Sequence, residues 1–376
     1  MTELDCPFVK SCIERVEIIT RSTLFASKMM DEGEWDKKRH FDQYRMRRLS
    51  PVQIEILELS CSCRCPDWSR VFIIHEEDEY WDESTIGVAL KGQVSHCRFQ
   101  GFVIFGLSRN LNPILSSEDN RYKLLAPGLH YNTLIQNSIF EPGSRVYNNT
   151  TIESTHVACH GSIIHCGSLS RTRVTARSTE SRAAESFADF ASSLQINVGP
   201  ETGGLRVVSA FPEMTLRDAA RDLQLSNHRP SGKCYSQQLA PPHTRAQMLA
   251  TQCPLNIVSA YCTITNASSV KDVCLLPYSY IDGSSSVHNV TLLSHAKIEG
   301  GTVENSQLQW DAKATYGHVK NSLLMEHSYA DKNSMVLSSV LGPDSHSSGG
   351  EVQYSILGNS IHTFAYIPLS LSESNR

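Results

Sequence analysis

Six valines constrain what this chain can fold into. Val270, Val287, Val303, Val319, Val336 and Val352 follow one another at spacings of 17, 16, 16, 17 and 16 residues. A period this short marks a unit that buries its apolar side only by stacking on copies of itself. Five residues after each valine stands a leucine: Leu275, Leu292, Leu308, Leu324, Leu341 and Leu357. Eleven residues after it come Ile281, Ile298, Ala314, Ala330, Ser347 and Thr363. Three inward anchors separated by five or six residues describe a coil with three short flat sides, because a helical repeat needs an apolar residue every three to four positions. Two residues before the third anchor are Ser279, Ala296, Ala312, Ser328, Ser345 and Ile361, nearly all small. Three residues after the first anchor are Val273, Val290, Ser306, Ser322, Ser339 and Ser355, as a tight corner requires. Asn289, Asn305 and Asn321, one position earlier, suit a left-handed backbone or a side-chain ladder there.

The same register is expected upstream: at Val94, Phe99 and Phe105 as a first coil, then at Ile135, Phe140 and Val146, at Ile152, Val157 and Ile163, and at Leu169 and Val174. Between 176 and 253 the anchors vanish. Glu180–Phe190 and Thr215–Leu225 have helix-forming composition, and Ser226–Pro242 is rich in Pro, Ser and Gln, which together predict a partly helical insertion leaving one side of the solenoid. The predicted organisation is a flexible extension over 1–43, a small α/β cap over 44–93, coils over 94–175, the insertion, coils over 254–368, and a tail over 369–376. In the cap, Ser50-Pro51-Val52-Gln53 carries an N-cap, a first-turn proline and a capping-box glutamine, opening a helix through about Leu59. Trp68 to Ile73 reads as a strand.

A formal net charge of −5 without a basic block argues against a nucleic-acid partner. No membrane span is visible, and Met1–Thr20 is too charged for a signal peptide, so a cytoplasmic location is expected. The twelve cysteines then read as reduced thiols. Cys61, Cys63 and Cys65 alternate too closely for a zinc site, and no metal is expected. Cys159, His160, His165 and Cys166 fall at a turn and its flanks and read as surface residues. No glycine-rich nucleotide fingerprint is present, and the sequence identifies no cofactor.

Residues at one coil position stack about 4.8 Å apart, so each position forms a column. Eight residues after the first anchor are Tyr278, His295, Asp311, His327, Asp344 and Ser360; ten residues after it are Tyr280, Lys297, Lys313, Tyr329, His346 and His362. Both columns point outward and line one face with ionisable groups. A histidine beside a carboxylate can be held in one tautomer and act as a general base. Asp311 is expected within reach of both His295 and His327, and Gln309 is expected to be exposed. A solvated ladder that avoids like-charge stacking is the alternative account of the same column.

Written as hexads, Leu341-Gly342-x-x-Ser345 and Ile281-Asp282-x-x-Ser285 resemble the hexapeptide repeat of left-handed parallel β-helices, found in sugar acyltransferases and sugar-nucleotide enzymes. The expected fold is therefore an all-β solenoid, a left-handed parallel β-helix, with the partly helical insertion and the cap. The hand comes from the resemblance, because such crossovers run against the usual rule; a right-handed β-helix, with longer and less regular coils, is the alternative. Tyr44-Arg45-Met46-Arg47-Arg48-Leu49-Ser50-Pro51, Cys65-Pro66-Asp67-Trp68-Ser69-Arg70-Val71, Gly203-Gly204-Leu205-Arg206-Val207 and Val340-Leu341-Gly342-Pro343 also resemble a family of uncharacterised bacterial and protist hexapeptide-repeat proteins. In that family further coils and a histidine-containing segment follow, so either a partner covers the end of this chain or it is a shortened relative. The resemblance implies a homotrimer with clefts between subunits. There His295 or His327, oriented by Asp311, would be the base, and Lys297, Lys313, His346 and His362 would hold a sugar or sugar-nucleotide ligand. Two function classes follow: a transferase of acyl or nucleotidyl groups in sugar metabolism, and a non-catalytic scaffold whose flat sides bind partners.

Overall fold

The computed structural model describes residues 44–76, 81–109, 125–170, 194–199, 206–210, 214–226, 256–284 and 286–364. The 1–43 extension, the Glu180–Phe190 helix, Val174, nearly all of Ser226–Pro242 and the 369–376 tail lie outside the described residues. What is described is an all-β parallel solenoid of about ten turns with few helices. The three anchor columns run through it in unbroken register. Phe99, Ile135, Ile152, Leu169, Val270, Val287, Val303, Val319, Val336 and Val352 form the first column. The second runs from Phe105 through Val258 to Leu357, and the third from Val94 to Thr363 on an eleven-stranded parallel sheet. The anchors make one continuous buried core.

The first coil is phased differently from the expectation. Val94 belongs to the third column, paired with Leu129, while Phe99 and Phe105 are first and second anchors. All three do face inward, but the cap feeds the chain into the solenoid on side three, the sides being numbered by the anchor column each carries. Similarly, the second-column place in the Leu169 coil is taken by Val258, stacked between Val157 and Leu275. The insertion therefore leaves the coil between its first and second anchors.

Among the described residues, the corners from the second coil on are turned by residues with positive φ. The first-corner column includes Asp272, Asn289, Asn305, Asn321, Ser338 and Tyr354 at φ 47–53°. Asparagine tolerates this conformation better than most residues, and Asn289 Nδ2 donates to Asn305 Oδ1 at 2.8 Å, the ladder foreseen from the sequence. The small column beside it does similar work: the Oγ atoms of Ser306, Ser322 and Ser339 accept the N–H of Ser322, Ser339 and Ser355 at 3.1–3.2 Å. From the second coil on, second and third anchors are six residues apart, and first and second are five apart wherever no insertion intervenes. Only the step from third anchor to next first anchor varies, between five and six residues.

In the cap, β1 (Tyr44–Arg48) lies antiparallel to β2 (Val71–Glu76), and β2 lies parallel on the first coil with Ile73 opposite Phe105. The capping box at Ser50 forms as expected and opens α1 (Pro51–Glu55), which passes into a π turn over Ile56–Ser60. Trp68 begins a 3-10 turn and not the strand, which starts at Val71. A second helix, α2 (Glu83–Gln93), starts on Asp82, whose carboxylate accepts the Thr85 N–H at 2.8 Å, and delivers the chain to Val94. Among the described residues no helix is long and apolar enough to cross a membrane.

The insertion folds back onto the solenoid. Its antiparallel pair Leu194–Gly199 and Arg206–Ala210, and its helix α3 (Leu216–Ser226), cover the outer face of side two in the later coils. Ile196, Val208, Ala210, Met214 and Ala219 close over Leu323, Met325 and Val340. Gln309 is consequently not exposed: it keeps 4% of its surface and its Nε2 donates to the Met214 carbonyl at 2.8 Å. An outward coil position is solvated only where nothing packs on that side.

Candidate functional site

The column of His295, Asp311 and His327 is the second corner of the coil. All three have positive φ, at 65°, 55° and 53°, which turns each side chain out at the edge between sides two and three. Each corner N–H donates to the preceding coil: His295 to the Pro277 carbonyl, Asp311 to that of Ser294, His327 to that of Trp310. The column is thus held by backbone bonds, whatever its side chains do.

Those side chains come together only in part. His327 Nδ1 lies 4.0 Å from Asp311 Oδ2, and its Nε2 lies 3.6 Å from Glu326 Oε1. His295 makes no ion pair with Asp311; its ring instead stacks on Tyr278 at 5.2 Å between centroids. Asp311 therefore serves one imidazole and not two. The His327 and Asp311 side chains keep 48% and 37% of their surface open, on a convex edge.

Lys297, Lys313, His346 and His362 stand on the outer face of side three, separated from the corner by one residue, which is buried before Lys297, Lys313 and His346 and exposed before His362. Lys297 and Lys313 are directly in register on neighbouring strands. Their ammonium groups part, each lying 5.1 Å from a tyrosine ring centroid, Tyr280 for Lys297 and Tyr329 for Lys313. Neither has a carboxylate partner among the described residues. His346 Nε2 is 3.0 Å from Asp331 Oδ2, without hydrogen-bond alignment, and its ring meets those of Tyr329 and His362 edge to face. The face thus holds a lysine pair between tyrosines and, further along, a histidine pair.

Sequence reasoning missed how far the corner column extends. His160, Tyr261, Tyr278 and His295 form one stack with centroids 5.2 Å apart at each step. Offsetting Ile152 by the same eight residues lands on His160; Tyr261 is hidden from that count by the insertion. The rings cover one another's faces, so the stack offers its edges outward. Also unforeseen is a buried pair, His156 Nε2 and Glu141 Oε1 at 2.9 Å. Cys166, expected at the surface, is buried, and burial pushes its thiol up to about 11. Burial likewise pushes Cys63 up to about 12 and Cys97 up to about 11, so these thiols pack as apolar groups. Among the described residues no three His, Cys, Asp or Glu side chains converge as a metal site would. No protein-family model matches the chain, and no curated protein is significantly similar to it.

Proposed function

We propose that the protein is a left-handed hexapeptide-repeat β-helix acting in the cytoplasm as a binding scaffold, with side three presented to an anionic ligand of the sugar-phosphate or sugar-nucleotide class. The observation that carries this reading is the lysine pair. Like charges directly opposite on adjacent strands are destabilising, and Lys297 and Lys313 relieve this only by leaning apart onto Tyr280 and Tyr329. A phosphate or diphosphate between them removes the repulsion. Catalysis at the corner is less well supported, because a general base must converge with its orienting group on a substrate, and His295, Asp311 and His327 stand on an open edge.

The transferase reading has one observation in its favour. His327 lies between two carboxylates, at 4.0 Å and 3.6 Å, and a neighbouring subunit in a homotrimer would turn this edge into a cleft.

The test is calorimetric titration of the whole protein with pyrophosphate at fixed ionic strength, alongside light scattering for mass and turnover assays with acyl-coenzyme A and nucleoside triphosphate donors. Saturable binding that disappears in Lys297→Gln/Lys313→Gln and survives His327→Ala is expected, with no turnover. Turnover abolished by His327→Ala would replace the scaffold with the transferase. Absence of pyrophosphate binding would remove side three as the binding face.

A further inference from the structure

The outer face of side three is more ordered than a solvated surface needs to be. On the strands Tyr280–Asp282, Lys297–Glu299, Lys313–Thr315 and Tyr329–Asp331 the middle residue is buried and the two flanking residues point outward. The first flank can donate a hydrogen bond on every one of these rungs: Tyr280, Lys297, Lys313 and Tyr329. The second flank can accept one on every rung: Asp282, Glu299, Thr315 and Asp331. Donors and acceptors thus run in separate columns on one face.

This segregation has a cost within one chain. Lys297 stands in register with Lys313, and Asp282 with Glu299, and like charges so placed repel. The lysines lean apart onto tyrosines, and Asp282 turns to the preceding rung, where Thr265 Oγ1 and Asn266 Nδ2 donate to its Oδ1 at 2.6 and 3.0 Å. Glu299 forms no ion pair among the described residues. Side one settles its polar groups along its own face: Lys320 meets Glu304 at 3.1 Å, and Thr302 Oγ1 shares a hydrogen bond with His318 Nδ1 at 2.6 Å, each between neighbouring rungs. Side two is covered in the later coils by the insertion. Side three alone keeps opposite charges apart and open.

We propose that the protein forms a reversible two-fold dimer through the outer face of side three, with Lys297 of each copy opposite Glu299 of the other. A two-fold axis parallel to the solenoid, in front of the third anchor column, turns the second copy's rungs end for end and keeps their height. The donor column of each copy then faces the acceptor column of the other, rung by rung. The other two-fold, along the strands, sets donors against donors and lysine against lysine. Facing sheets about 10 Å apart bring lysine and glutamate within reach. The face has seven rungs from Thr263 to Phe364. At about 4.8 Å per rung and about 17 Å of width they offer about 550 Å² per copy, or about 1,100 Å² in all, the lower end for a specific interface, so the pair dissociates readily. The lysines are those read above as the anion site; on that reading, ligand and second copy exclude each other, and the dimer regulates access to the face.

The experiment is sedimentation equilibrium of the full chain over a concentration series, in which the mass should rise from one chain towards two. Lys297→Glu and Glu299→Lys each set like charges against each other at both contacts, and each should weaken the dimer about tenfold or more. An equimolar mixture of the two variants should pair as tightly as the parent, because each reversed charge then faces the other and the unreversed pair is restored. A mass of one chain up to about 1 mM, a mass approaching three chains, or a mixture that fails to recover would overturn the proposal. Pyrophosphate is titrated into Glu299→Lys, which keeps both lysines. Binding there with pairing lost reads the two apart: an absent dimer counts against this proposal alone, and absent pyrophosphate binding against the ligand reading alone.

Discussion

His130 shows how a single side chain ties this solenoid to pH. Its Nδ1 shares a hydrogen bond with Ser95 Oγ at 2.8 Å, its ring stacks on Tyr147 at 4.7 Å, and burial pushes it down from 6.5 to about 4. The unfolded chain takes up this proton near pH 6.5 and the folded one only near pH 4. The stabilisation is therefore whole above about pH 6.5 and is lost as the pH falls towards 4. Thermal midpoints across this window should drop on acidification, and less steeply in His130→Gln; parallel curves would exclude the assignment. A second comparison separates inward from outward residues. Leu308→Ala should destabilise by about 2–5 kcal/mol, because stacked coils cannot collapse around the void. Gln309→Ala should cost about 1–3 kcal/mol by orphaning the Met214 carbonyl and the Glu326 N–H, which Gln309 Oε1 accepts at 3.2 Å, whereas exposed Gln353→Ala should stay within about 0.5 kcal/mol. Denaturant titration of the three variants checks the order. Leu308 was legible in the sequence, since a column of six leucines has one explanation. Gln309 was not, because nothing local tells which outer side an insertion will cover.

At the scale of the element, corners and insertion follow different rules. A corner is local. Its φ is set within a few residues, so asparagine and small residues at a fixed offset could be read in advance. Asn305→Val should lose about 1–2 kcal/mol to left-handed strain in addition to the bond from Asn289, while Asn305→Gly should lose the bond alone; thermal melts distinguish the two. The insertion is not local. Its docking depends on Ile196, Val208 and Met214 meeting Leu323, Met325 and Val340 across more than a hundred residues of chain. Leu323→Asp should place a charge in that contact and release α3, seen as faster amide exchange over 216–226 with little change in the coils before Val303. Uniform acceleration along the whole chain would mean that the insertion and the coils open together. The phase at Val94 escaped sequence reasoning for a related reason: three apolar residues at spacings of five and six fit two settings of the same triangle, and α2 decides between them.

Across the whole molecule, far-UV circular dichroism should be dominated by strand, with a minor helical part from Pro51–Ser60, Glu83–Gln93 and Leu216–Ser226; a helix-dominated spectrum would end the β-solenoid reading. The fold was legible because its instructions repeat, so that one misread coil is corrected by its neighbours. The candidate site had no such redundancy. Whether Asp311 meets one histidine or two depends on rotamers, and Tyr278 decides the position of His295 by stacking. One feature of the coils reaches beyond this chain. From the second coil on, the flat sides keep a fixed length because their strands bond to the rungs on either side, whereas the step through the third corner changes between five and six residues without disturbing any column. That corner is a splice point. At Lys332 and Asn333, both exposed and both at positive φ, a foreign peptide could be grafted and displayed at a known height on a rigid ruler. The same tolerance is a route by which lineages could lengthen or decorate such a solenoid one rung at a time.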